Sequence, residues 1–242
     1  MKDVTRICLW SGPRNISTAL MYSFAQRADT QVYDEPLYAW YLSHSKAKEY
    51  HPGAEEVLRT MEHDGAKVVE MMMGDYDKPV QFFKHMTHQL LDLDRSFMKD
   101  VINVILTRDP KDMLPSFDKV IHDPSMIDVG YAQHIELIDY YDEIGVEPIV
   151  LDSRQILENP KAGLIKLCNK IGIAFDPAML NWETGPIPED GCWAKYWYAN
   201  VHQSTGFQKY KPKKEPFPDH LMPLLKECQP FYDRLKKLSI KV

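Results

Sequence analysis

Short apolar runs of strand length alternate along this chain with segments whose apolar residues recur every three or four positions. The first run is Arg6–Trp10. It passes through Ser11–Asn15 into a helical pattern marked by Leu20, Met21 and Phe24. Gln31–Tyr33 is a second short run, closing on Asp34-Glu35-Pro36, where the proline permits a helix start. Residues 54–63 read as a surface helix, and Lys67–Met73 fits a strand and an apolar helix end equally well. Val80–Phe83 reads as a strand that ends at Lys84-His85. Val101–Thr107 is a near-continuous apolar run of the kind buried on both faces of a parallel sheet. Helical patterns follow over residues 110–122 and 126–144, then a strand at Pro148–Leu151. In the helix Lys161–Ile171, Leu164, Leu167, Cys168 and Ile171 share one face, and Gly172 follows as a C-cap. Residues 219–238 form a last amphipathic helix.

This alternation predicts an α/β protein with a central parallel sheet flanked by helices in three layers. Ligands then belong at the carboxyl ends of the strands. The loops after Trp10, Tyr33, Phe83 and Thr107 all lie there. From Asp176 to about Pro218 the chain is irregular but rich in Trp and Tyr, which predicts packing over that end as a lid. The expected organisation is one domain over 1–242, with a core over 1–175 and a lid segment and closing helix over 176–242.

Charge and cysteine usage narrow the function classes. A net charge of −6 and a pI near 5.8 argue against a nucleic-acid binder that uses a broad basic face. A local basic pocket for a small anion remains open. The four cysteines form no CxxC pair, so no zinc site is expected, and Cys8 and Cys168 sit in apolar patterns as small hydrophobes. No signal peptide or membrane span is legible. A reducing, cytoplasmic location is expected, with no nucleic acid or membrane partner; a homo-oligomer is compatible with these features.

Two strand-to-helix turns carry the candidate chemistry. Ser11–Thr18, SGPRNIST, presents free backbone amides at a helix start, where anions bind. It does not meet the pattern GxxxxGK[ST]: aligned on Gly12, the last three places are Ser17, Thr18 and Ala19. Without the loop lysine, Arg14 is the candidate cation, with Ser17 and Thr18 as hydroxyl donors. The bland alternative is a helix entry capped by Asn15 or Ser17. The second turn is VILTRDPKDMLPSF over 104–117. A strand ends at Arg108, Asp109-Pro110 starts a helix, and Ser116 follows on its second turn. Here the bland alternative is an Asp109 cap with Pro110 at the first helical position. Two anion sites on one sheet suggest a nucleotide with phosphates at both ends of its ribose.

Together these segments resemble the P-loop sulfotransferase superfamily. Residues 13–18 are similar to its PRSGST-type loop, and Arg108-Asp109-Pro110-Lys111-Asp112 with Ser116 to its R-N-P-x-D-x-x-x-S signature. Residues 151–173, LDSRQILENPKAGLIKLCNKIGI, resemble its strand, N-P turn and core helix. The resemblance implies 3′-phosphoadenosine-5′-phosphosulfate (PAPS) as donor, with no required metal. Residues 14–18 (Arg14, Asn15, Ile16, Ser17, Thr18) would hold the 5′ end, and Arg108 and Ser116 the 3′-phosphate. Ser204 and Thr205 would belong to a late loop over the donor. Ile16 stands where many members have glycine, and Asp109 where asparagine is usual.

Sulfuryl transfer to a hydroxyl or amine of a small-molecule acceptor needs a base, cations and alignment. Cytosolic relatives end the comparable strand in Lys-Thr-His. Here the order is Lys84-His85-Met86-Thr87-His88, so a strict transfer of the histidine lands on Met86. The base candidates are Glu35, in the turn YDEPL, then His85, then His88, the last expected on a helix surface. Lys84 is the candidate cation, and Asp34 a cap or orienting group. Lys209, Lys211, Lys213 and Lys214 form a basic cluster that would attract an anionic donor. Two other readings are carried: a non-catalytic nucleotide-binding member of the same fold, and a kinase-like phosphotransferase, which would need magnesium and the missing loop lysine.

Overall fold

A computed structural model describes residues 4–212 and 215–242. Five parallel strands form one sheet in the order β2-β3-β1-β4-β5. They are β1 Thr5–Ser11, β2 Thr30–Asp34, β3 Val80–Met86, β4 Ile102–Thr107 and β5 Ile149–Asp152. The helices through the core are α1 Ser17–Ala25, α2 Tyr38–His44, α3 Ala54–Thr60, α4 Gly65–Met73, α5 Pro110–Phe117, α6 Met126–Val129, α7 Tyr131–Ile144, α8 Ser153–Glu158 and α9 Pro160–Ile171. Two short helices follow, α10 Ala194–Trp197 and α11 Ala199–His202, and then α12 Met222–Leu238. This is the expected architecture.

Each strand presents alternate residues to opposite faces. One face carries Ile7, Leu9, Val32, Phe82, Val104, Leu106 and Leu151, and α1 and α9 cover it with Leu20, Phe24, Leu164 and Leu167. The other carries Cys8, Trp10, Phe83, Ile105 and Val150, covered by residues of α4, α5, α7 and α12. Burial on both faces explains why these strands read as continuous apolar runs.

Several boundaries differ from expectation. The ambiguous segment around residues 67–73 is the helix α4, started by the Asp64 side chain, which accepts from the amides of Ala66 and Lys67. β3 does not stop at Phe83 but continues through Lys84 and His85 to Met86. The helix expected over 126–144 is two, because Gly130 takes a left-handed φ of 76° between α6 and α7. α5 ends at Phe117, short of 122.

The sheet order places β1 and β4 side by side, yet their chains leave in opposite directions. β1 feeds α1 on one face, and β4 feeds α5 on the other. Between such strands the carboxyl edge opens into a crevice. No helix among the described residues is long and apolar enough to cross a membrane.

Candidate functional site

A cavity of about 660 Å³ occupies this crevice. Its floor is the β1–α1 turn. Gly12 is required there because a Cβ would lie 2.9 Å from the Val129 carbonyl. Asn15 does not cap α1; its Nδ2 donates to the Leu106 carbonyl at 2.9 Å and ties the loop to β4. Ile16 is the N-cap, with φ −84°, and no side chain caps the helix. The first amides of α1 are therefore left without a side-chain acceptor, beside the cavity that Ser17 and Thr18 line. Ile16 needs no glycine-like freedom. The unusual backbone belongs to Arg14, at φ 54°.

Arg14 spans the crevice. Its Nε donates to Ser116 Oγ at 3.2 Å and its Nη1 to the Trp197 carbonyl at 3.2 Å. Arg108 donates from Nη1 to the Arg14 carbonyl at 2.6 Å, and its own carbonyl accepts from Tyr131. The residues expected at the two ends of a nucleotide thus meet at one place. Among the described residues neither arginine forms an ion pair with a carboxylate. Burial, with the Arg108 charge adding, lowers the Arg14 pKa from its ordinary value. An anion between the two guanidiniums would relieve that repulsion. The α5 start is different: Asp109 Oδ1 accepts from the Lys111 amide at 2.9 Å, so this helix is already capped by its own acid.

At the neighbouring edge, β2 and β3 bring three charged groups together. Lys84 Nζ donates to Asp34 Oδ1 at 2.8 Å, to Glu35 Oε1 at 2.5 Å and to Tyr198 Oη at 2.7 Å, which engages all three ammonium protons. Gln89 Nε2 donates to Glu35 Oε2 at 2.7 Å. Tyr198 donates to Asp34 and accepts from Trp193 Nε1 at 3.1 Å, and the Gly191 amide also donates to Asp34. Glu35 reaches this network through a left-handed φ of 46°, and its backbone N–H donates a hydrogen bond to the Lys84 carbonyl at 2.8 Å. Lys84, Asp34 and Glu35 are all buried. Desolvation raises the Asp34 pKa, with the Glu35 charge adding and Lys84 opposing. Desolvation alone would lower Lys84, but the attraction of Asp34 and Glu35 outweighs it and its pKa is raised. The two shifts differ in origin, burial for Asp34 and the paired carboxylates for Lys84, but both favour the protonated forms, so the cluster holds its protons tightly.

The structure removes His85 from the candidate bases. It follows Lys84 on the strand and so faces the opposite side of the sheet. There it stacks on Trp10 with ring centroids 4.5 Å apart and does not line the cavity. Neither ring nitrogen has a hydrogen-bond partner, and burial lowers its pKa to about 3. His88, expected on a helix surface, is instead buried and lines the cavity, with its pKa also lowered to about 3 by burial. Glu35 lines the cavity as well.

Four residues of the irregular C-terminal segment, Trp193, Trp197, Tyr198 and Ser204, line the cavity. The Ser204 hydroxyl donates to the Val201 carbonyl and accepts from Trp182, while Thr205 is exposed and lies outside the cavity lining. Lys209 and Lys211 are exposed and do not line the cavity; Lys213 and Lys214 lie outside the described residues. Tyr198, Gln89 and Trp193 were not singled out in the sequence as parts of the charged network. Gln89 was within reach, five residues after Lys84. Tyr198 was not, because its partners are 114 and 164 positions away.

A family profile described as a sulfotransferase domain matches residues 5–239. Two Arabidopsis thaliana proteins named Branched-chain-amino-acid aminotransferase-like protein 2 and 1 are 41% and 42% identical, each over 94% of this chain. The chain spans only 40% and 41% of their lengths. Among solved structures, the sulfotransferase domain from the curacin biosynthetic pathway aligns over 100% of both chains with a TM-score of 0.57 and 12% identity. A sulfotransferase from Alicyclobacillus acidocaldarius aligns over 98% of this chain and 96% of its own, at TM-score 0.55 and 12% identity. These structural likenesses concern the fold.

Proposed function

The chain belongs to the sulfotransferase domain family, and from that premise we propose that it moves a sulfuryl group from PAPS to a hydroxyl or amine of a small-molecule acceptor. The observation that carries this reading is the convergence of Arg14, Arg108 and Ser116 beside the uncapped start of α1. Two guanidiniums without carboxylate partners and a set of open amides suit a ligand bearing separate phosphate groups. Arg108 and Ser116 would take the 3′-phosphate; the α1 amides with Ser17 and Thr18 would take the 5′ end. Arg14 lies between them and serves either.

In the transfer, the bond from sulfur to the 5′-phosphate oxygen breaks and a bond from sulfur to the acceptor atom forms. The acceptor's proton goes to a base, and 3′-phosphoadenosine-5′-phosphate (PAP) leaves with the bonding pair. Glu35 is the base in this reading. Each carboxylate oxygen keeps a lone-pair site beyond the bonds from Lys84 and Gln89. Lys84 acts first as a clamp that fixes Glu35, because its three protons are engaged.

The test is a thermal-shift comparison of PAP with AMP. PAP is expected to stabilise the protein well beyond AMP at equal concentration, and Arg108→Ala to abolish the difference, since it removes a charge-assisted contact worth about 1.5–3 kcal/mol. Equal shifts from the two nucleotides would sink the reading. Glu35→Gln is expected to keep the PAP shift and to lose acceptor-dependent PAP release.

A further inference from the structure

The two ends of the cavity differ in charge. The cations Arg14, Arg108 and the exposed rim residue Lys119 come from the β1–α1 turn, the β4–α5 turn and the exit of α5. The other end is lined by Glu35, Tyr38, His51, Lys84, His88 and Asp128, with indoles from the C-terminal segment above them. Among the described residues that line it, its cation is Lys84, which is matched by two carboxylates within 2.8 Å. Both imidazoles are neutral near pH 7: burial lowers His51 to about 4 and His88 to about 3. Asp128 adds a further carboxylate. Its Oδ2 accepts from the Ser125 amide and hydroxyl, while Oδ1 accepts only from Tyr50, at 3.1 Å. This leaves Oδ1 with capacity for a second donor.

Two further features belong to this end. His88 is buried, lines the cavity and carries an Nδ1 with no hydrogen-bond partner. The His51 ring is held edge-on by Tyr38, Tyr41 and Tyr50, and its Nδ1 pairs with the Tyr38 hydroxyl at 2.8 Å. Aromatic rings beside a carboxylate, with no uncompensated cation among the described residues at this end, attract a positive group and repel an anion.

Resting on the sulfotransferase reading, we propose that the acceptor is a small hydroxylated amine: its hydroxyl is presented to Glu35, and its ammonium is held at the end formed by Asp128, His51 and the neighbouring aromatic rings. The ammonium is protonated and is a recognition group, not the nucleophile. The oxygen–sulfur bond forms at the hydroxyl, whose proton passes to Glu35.

Three phenols that share a ring and differ in tail charge test this: tyramine, 4-ethylphenol and 3-(4-hydroxyphenyl)propionate. Their binding to the PAP-saturated protein is measured by calorimetry, and kcat/KM with PAPS is measured alongside. Tyramine is expected to lead and the carboxylate to trail, with at least about tenfold between the ends, the worth of one charge-assisted hydrogen bond. Asp128→Asn keeps the side-chain shape and is expected to compress that order while leaving the PAP thermal shift intact. The proposal is overturned if the carboxylate binds as well as tyramine, if tyramine does not bind the PAP complex, or if Asp128→Asn leaves the order unchanged. The PAP shift itself reports on the donor reading, so its loss in the unsubstituted protein is a separate failure.

Discussion

Lys84 and His85 are consecutive residues of one strand, both fully buried, and they sit in opposite chemical worlds. Lys84 faces the crevice, where three acceptors meet its three protons. His85 faces the apolar side, stacked on Trp10, with neither nitrogen paired. The difference teaches how the sheet divides labour. The face that carries Lys84 opens at its carboxyl edge into polar groups from β2, β3 and the C-terminal segment. The other face stays closed by α4, α5, α7 and α12. A period of two residues is enough to put one side chain in the chemistry and its neighbour in the core.

The largest effect on this comparison is expected from Lys84→Met. It leaves Asp34 and Glu35 buried without their counter-charge, which typically costs about 3–5 kcal/mol. Urea denaturation should show that loss, and transfer activity should vanish with it. The double variant Lys84→Met with Asp34→Asn should recover part of the stability but none of the activity, because Glu35 still lacks its clamp. Equal midpoints for Lys84→Met and the unsubstituted protein would show that the ammonium is not the charge that the two acids need.

A smaller change is expected from Tyr198→Phe. The phenol ties the C-terminal segment to the sheet through Lys84 and Asp34, yet Asp34 keeps Lys84 and the Gly191 amide when it is gone. The cost should be about 1–3 kcal/mol, that of a buried partner left incompletely satisfied. Proteolysis between residues 177 and 208 should become faster than elsewhere. Unchanged protection there would mean that the segment is held by its tryptophans alone.

Much of this was legible in the chain, and the failures have one physical source. The parallel sheet followed from continuous apolar runs, and the strand-to-helix turn before α5 from a strand that stops at Arg108. Asp109 as a cap was visible from Asp-Pro alone, and the structure agrees. His85 was misjudged because β3 was read as ending at Phe83; with the strand carried on to Met86, its alternation would have sent Lys84 and His85 apart. Polar residues inside a strand break the apolar run that marks it, so a strand that ends in a functional site looks too short. Tyr198 and Trp193 had no local signal, since their partners are set by how the irregular segment folds back. The open start of α1 was half legible: Asn15 and Ser17 looked like caps, and only the tertiary bond from Asn15 to Leu106 shows that the loop is tied elsewhere.

The smallest expected effect is the one that separates the two faces most sharply. Burial lowers His85 to about 3 against an ordinary 6.5. A folded pKa below the unfolded one gives stability that is present above pH 6.5 and lost as pH falls toward the folded value. Each pH unit in that window removes up to about 1.4 kcal/mol per histidine, because the unfolded chain binds a proton that the folded chain refuses. His51, His88 and His134 share the direction and steepen the loss. His85→Leu deletes one contributor and two unpaired nitrogens while keeping an apolar side chain against Trp10. At pH 7 its stability should lie within about 1 kcal/mol of the unsubstituted protein. Between pH 7 and 5.5 it should lose about 1 kcal/mol less. Transfer activity and the PAP shift should persist, since the side chain faces away from the cavity. An unaltered acid slope would mean that His85 is hydrated and titrates normally. A loss of transfer with the PAP shift retained would return it to the chemistry from which its face of the sheet removes it.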